Sequence, residues 1–122
     1  MKKLFGLRGA VQCENSIQDV STQVAAMYDE LLGSNNLNEK DIVSIMFTVT
    51  NDIDVINPCT ALRKSGRAGG NLALFSACEP NIQGSLERTI RVLIHCYLEE
   101  SATANHVYQN GAEVLRPDRA IK

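Results

Sequence analysis

The chain has 122 residues, 44% of them hydrophobic and 21% charged, with a formal net charge of −2. That is the length of one domain, and it carries enough apolar material for a packed core without metal or disulfide staples. A faintly acidic balance excludes the broad basic surface of a nucleic-acid or membrane-surface binder, so an anionic ligand would need positive charge gathered locally.

The opening Met1-Lys2-Lys3-Leu4-Phe5-Gly6 has a basic pair but no apolar stretch like that of a secretion signal. No later apolar run reaches membrane-spanning length, so a cytoplasmic location is expected. Residues 2–13 read as a strand, with the small pair Gly9-Ala10 inside it. Ser16 and Asp19 resemble a capping box, with an acid three residues after a hydroxyl. Behind them Ile17, Val20, Val24, Met27 and Leu31 recur at spacings of three and four, which predicts one long amphipathic helix. Gly33 is placed to end it.

Residues 42–50 are rich in β-branched side chains and predict a buried strand. A polar loop to Asn57 follows, and Pro58 suits the first turn of a short helix stopped by Gly66. The Gly-rich piece at 65–71 lacks the spacing and the Lys-Ser/Thr ending of a phosphate loop and reads as a mobile surface loop. Residues 72–76 and 88–98 predict two more strands. Asn110-Gly111 predicts a hairpin joining 106–109 to 112–115, with Pro117 ending the ladder. The fold class is therefore α+β, a mixed β-sheet of five to six short strands with one long helix on a face. One helix cannot cover every apolar strand side, so burial in an oligomer is expected.

Cys13, Cys59, Cys78 and Cys96 contain no C-x-x-C pair, and His95 and His106 lack helical metal-ligand spacing, so neither a metal nor a cofactor is expected. The candidate chemistry lies in the arginines. By strand alternation Arg91, Leu93, His95 and Tyr97 share one side, and Ile90, Val92, Ile94 and Cys96 the other. A charge inside such a run must be solvated, paired or aimed at a ligand. Taken singly, each candidate has an ordinary reading. Arg91 and Arg8 could be strand arginines in salt bridges or solvent, Arg63 and Arg116 surface charges, Tyr108 packing, and Glu79 an exposed loop acid.

Their order along the chain is more specific. Leu-Arg-Gly-Ala at 7–10 is followed by Glu14, Thr50-x-Asp52-Ile53 and Pro58-x-x-Ala61-x-Arg63. Then come Cys78-Glu79, Ile90-Arg91-Val92, His106-Val107-Tyr108 and the run from Val114 through Leu115 and Arg116 to Asp118. This set resembles the monofunctional chorismate mutases of the Bacillus type across essentially the whole chain. The resemblance implies a single chorismate mutase domain over residues 1–122, a homotrimer forming a pseudo-α/β-barrel, and active sites between adjacent subunits. Its implied activity is the rearrangement of chorismate to prephenate in aromatic amino-acid biosynthesis. It implies that Arg91 meets the ether oxygen of the breaking bond, that Arg8 and Tyr108 hold the side-chain carboxylate, and that Glu79 accepts the ring hydroxyl. Arg63, Arg116, Leu115, Leu74, Ser76, Asn57 and Thr60 match further substrate-binding positions.

The sequence also departs from the family. Where the family commonly shows Phe-Pro-Ala and then a lysine, this chain has Asn57-Pro58-Cys59-Thr60. Loss of an aromatic wall and of one cation implies weaker binding of a dianion rather than loss of activity. Two other readings suit a related arrangement: an imine deaminase-like hydrolase, and a trimeric anion-binding protein without turnover.

Overall fold

The computed structural model describes residues 1–116. Five strands form one mixed sheet: β1 (Lys2–Gln12), β2 (Ile42–Val49), β3 (Ala73–Cys78), β4 (Thr89–Glu99) and β5 (Val107–Gln109). Their spatial order is β3-β2-β4-β1-β5. The three central strands pair antiparallel through β4, and the outer strands β3 and β5 join β2 and β1 in parallel. Two helices, α1 (Ile17–Ser34) and α2 (Pro58–Lys64), complete the α+β fold.

The sheet has one closed and one open face. On the closed face Leu7 and Val11 of β1, Ile45 and Phe47 of β2, and Ile90, Ile94 and Cys96 of β4 are almost entirely excluded from solvent. They pack against Val20, Val24, Met27 and Leu31 of α1 in one cluster. Gly9 lies on this face. A Cβ there would stand 3.1 Å from both Leu31 Cδ1 and Val92 Cγ1 and 3.2 Å from Met27 Sδ. The glycine therefore admits the close approach of the helix. Ala10 is the member of the pair that turns the other way.

Ser16 caps α1 by accepting the Asp19 N–H at 3.1 Å. The Asp19 carboxylate reaches past the cap and accepts from the Glu14 N–H at 2.7 Å, a wider loop than the expected box. Gly33 remains helical, and Asn35 closes the helix. At the short helix Asn57 accepts from the Cys59 N–H at 2.8 Å, Pro58 occupies the first turn, and Gly66 adopts φ +83° just beyond.

Two expectations are corrected. Residues 112–115 do not return as a strand: Asn110 and Gly111 adopt left-handed backbone as the hairpin signal requires, but a 3-10 turn follows over Ala112–Leu115. The competing constraint is β5, which is only three residues long and already paired with β1. The Asn110 amide also ties the turn to the Gln12 carbonyl at 2.6 Å. Pro117, expected to end the ladder, lies outside the described residues. The Gly-rich loop, in turn, is anchored. Arg67 forms a two-pronged pair with Asp29 at 2.7 Å on each prong, and the Ala68 N–H donates to Glu39 at 2.8 Å.

Candidate active site

The open face is where the charged side chains of the sheet gather. Strand register sets Arg91 beside Thr48 of β2 and Ala10 of β1. The small alanine and the short hydroxyl leave room for a guanidinium, whose side chain is 47% exposed. Glu79 comes immediately after β3. Its backbone N–H donates to the Val49 carbonyl at 2.7 Å, which extends the parallel pairing by one step and aims the carboxylate back over the sheet. There its Oε1 lies 3.3 Å from Arg91 Nε and accepts a short hydrogen bond from the Thr48 hydroxyl.

Arg8 projects from β1 opposite Leu93, two positions along the same face from Ala10. Its backbone N–H donates to His106 Nδ1 at 2.9 Å, so His106 fastens the start of β5 to β1. Parallel pairing then brings the buried Tyr108 next to Ala10. The turn that follows carries Leu115 and Arg116 to the rim of the same space. Gly111 is required here: its φ is +102°, and an added Cβ would come within 2.3 Å of Gln12 Oε1.

The result is an open cavity of about 350 Å³ whose charged lining is Arg8, Arg91, Arg116 and Glu79. Apolar walls come from Ala10, Met46, Leu93 and Leu115, and Tyr108 adds a phenol. Three cations and one carboxylate on a largely apolar wall suit an organic dianion that also carries a hydroxyl group. Strand alternation brings Met46 and Thr48 to this face together with Arg91. Their roles went unread in the sequence because nothing in it states which strand lies beside which.

Thr50 and Asp52 brace the entry to β4 from below. Asp52 accepts the Arg88 N–H at 3.1 and 3.0 Å on its two oxygens, and the Thr50 hydroxyl donates to it at 2.5 Å. Burial pushes the Asp52 carboxyl upward, but these donors outweigh it and hold the group below the ordinary range. Arg88 is thereby kept at φ +45°, three residues before Arg91. Glu14 is a distant partner of Arg88, at 3.9 Å.

The remaining site residues lie elsewhere. Leu74 and Ser76 of β3 register with Ile45 and Phe47, so they face the closed side, away from Arg91. Ser76 accepts the Asn57 side-chain amide at 2.8 Å, and Thr60 and Arg63 follow on α2. Asn57 and Ser76 border a separate hollow of about 310 Å³ with Ile56 and Cys78. The chain thus carries two groups of candidate residues on opposite sides of one sheet. Cys59, on α2 beside Asn57 and Ser76, has its thiol pKa raised, because burial raises it more than the Ser76 hydroxyl and Arg63 lower it. Burial likewise pushes Cys13 and Cys96 up to about 11.

The comparisons with known proteins point the same way as this geometry. Residues 4–119 match the family model described as chorismate mutase type I. A curated chorismate mutase of Thermus thermophilus is 32% identical over 116 residues, covering 93% of both chains. The solved structure of a chorismate mutase from Clostridium thermocellum superposes with a TM-score of 0.81 at 35% identity, covering 90% of this chain and 98% of that one. With all but the first three residues of the described fold inside the match, this chain belongs to the type I chorismate mutase family.

Proposed function

We propose that the pocket around Arg91 is where this chain rearranges chorismate to prephenate, and that a neighbouring copy completes it. The observation that carries this reading is the convergence of Arg8, Arg91 and Arg116 with Glu79 and Tyr108 on one open apolar wall. The reaction is a concerted shift of bonds within one molecule, so it needs no nucleophile and no proton carrier. Two tasks remain for the protein. The substrate's flexible arm must be held over its ring, which is a matter of positioning and entropy. Negative charge growing on the ether oxygen as the C–O bond breaks must be met by fixed positive charge.

Arg91 suits the second task, being permanently charged and planar and lining the cavity beside Glu79. Arg8 and Tyr108 suit the first, by taking the carboxylate of the arm. Glu79 accepts the ring hydroxyl. Leu115 and Arg116 close the rim.

The second group (Asn57, Thr60, Arg63, Leu74, Ser76) cannot reach this pocket within one chain, since the sheet lies between. A cyclic trimer in which the α2 side of one copy abuts the Arg91 side of the next brings the groups together. The open sheet face supports such assembly. Leu4, Met46, Tyr97 and Phe75 all lie on it, and Phe75 is 62% exposed. Free cysteines at 13, 59, 78 and 96 fit a reducing compartment, in keeping with a cytoplasmic enzyme. No helix among the described residues is long and apolar enough to cross a membrane.

The test is to mix purified protein with chorismate and follow prephenate, with sedimentation equilibrium to weigh the assembly. Prephenate far above the uncatalysed rate, from a species of three chain masses, is the expected result. A folded protein that leaves the rate unchanged overturns the activity. Full activity from a monomer overturns the shared site.

A further inference from the structure

We infer that Thr48 is a positioning residue for this reaction, holding the Glu79 carboxylate in place while Arg91 is engaged with substrate. The inference rests on the reading of the pocket just proposed. Thr48 and Arg91 are cross-strand neighbours on the open face, and both line the cavity. Both address the same atom: the Thr48 hydroxyl donates to Glu79 Oε1, and Arg91 Nε stands 3.3 Å from it.

The two partners are not equivalent. Arg91 is a long, half-exposed side chain, and the ether oxygen of a bound substrate competes for its donors. When the guanidinium turns to that oxygen, its pairing with Glu79 weakens at the moment the carboxylate must hold still. Thr48 has a short β-branched side chain on a strand inside the sheet, with χ1 restricted and far less reach than Arg91. Its hydroxyl keeps Oε1 occupied throughout. Among the described residues no protein group bonds Oε2, so that oxygen is left to accept the substrate hydroxyl. A carboxylate pinned through one oxygen presents the other in a fixed direction, and the ordering entropy of that side chain is spent before substrate arrives.

The experiment compares Thr48→Val, which keeps shape and removes the hydroxyl, with Thr48→Ser, which keeps the hydroxyl. Each is made in the natural chain and again together with Glu79→Ala. Prephenate formation and thermal melting are measured for all. With a hydrogen bond to a charged group removed, Thr48→Val should lower kcat/KM about tenfold, and Thr48→Ser should stay within about twofold. In the Glu79→Ala background Thr48→Val should have almost no further effect, because the group it positions is gone.

Equal losses for Ser and Val, or the same loss with and without Glu79, would overturn the inference and mark Thr48 as a packing residue. So would Val at full activity. Failure of the natural chain to form prephenate is a different outcome, and it would sink the reading of the pocket itself.

Discussion

The two sides of β4 are built from alternate residues of one strand, yet opposite rules govern them. Ile90, Val92, Ile94 and Cys96 belong to the buried cluster that α1 covers, where each position is defined chiefly by volume. Arg91, Leu93, His95 and Tyr97 look out over an open face, where each is defined by what can approach. The closed side makes the sheet rigid, and that rigidity lets Arg91 hold its charge at a fixed point on the open side. Stability and activity should therefore separate cleanly between the two faces.

The largest expected effect lies on the open side. On the mechanism proposed above, replacing Arg91 with alanine removes a full charge from the developing ether oxygen, so kcat/KM should fall more than about 10³-fold. The melting temperature should scarcely move, since the side chain is half-exposed and its ion pair with Glu79 is only partly buried. A large drop in melting temperature would mean that Arg91 is structural, and the contrast between the faces would collapse.

Phe47→Ala on the closed side should do the reverse. It empties a fully buried site at the centre of the sheet and should cost about 3–5 kcal/mol of stability. Denaturant unfolding measures that loss, while kcat per folded molecule should be preserved. A smaller effect of the same kind is expected at Gly9. An added methyl group meets the ends of Leu31 and Met27 and a methyl of the stiffer Val92, each of which must give way by a few tenths of an ångström, at about 1–3 kcal/mol. If Gly9→Ala instead abolished turnover in a stable protein, the glycine would be serving the cavity that it also lines.

How far the sequence could be read follows from the same division. Periods of two and of three to four are local, so β1, α1, β2, α2 and β4 were legible almost to their ends, and alternation correctly put Arg91 on a different face from Ile90. What local pattern cannot state is adjacency. Nothing in residues 42–50 says that Thr48 will lie beside Arg91, because that depends on β4 inserting between β1 and β2. Asn110-Gly111 misled for a related reason. The dipeptide did turn with left-handed backbone, but the partner of β5 is β1, roughly a hundred residues away in sequence and invisible to a short-range rule. The candidate site came from a family resemblance rather than from spacing. Arg8, Glu79, Arg91, Tyr108, Leu115 and Arg116 then converge in one cavity, whereas Asn57, Thr60, Arg63, Leu74 and Ser76 do not join them within the chain.

The smallest expected effect concerns pH and the elements that brace the closed face. Asp29 is held below its ordinary pKa chiefly by the hydrogen bonds from Arg67, and Glu39 chiefly by the Tyr28 hydroxyl. The sign follows from which state binds the proton more weakly. A carboxyl depressed in the folded state contributes stability above its unfolded pKa and loses it as pH falls through the folded value. Both groups have ordinary values near 4, so these contributions are complete at neutral pH and fade only in acid. The loop at 65–71 and the end of α1 should then loosen first, detected as faster amide exchange at Ala68, whose N–H is donated to Glu39. Arg67→Ala should flatten the part of this acid response that comes from Asp29 and leave the part from Glu39. If exchange at Ala68 were insensitive to pH across that range, the loop would be held by packing alone and the two carboxylates would be bystanders. Thr48 and Arg91, on the far side of the sheet, should show no change in exchange over the same range, because neither Asp29 nor Glu39 reaches across the core that separates the two faces.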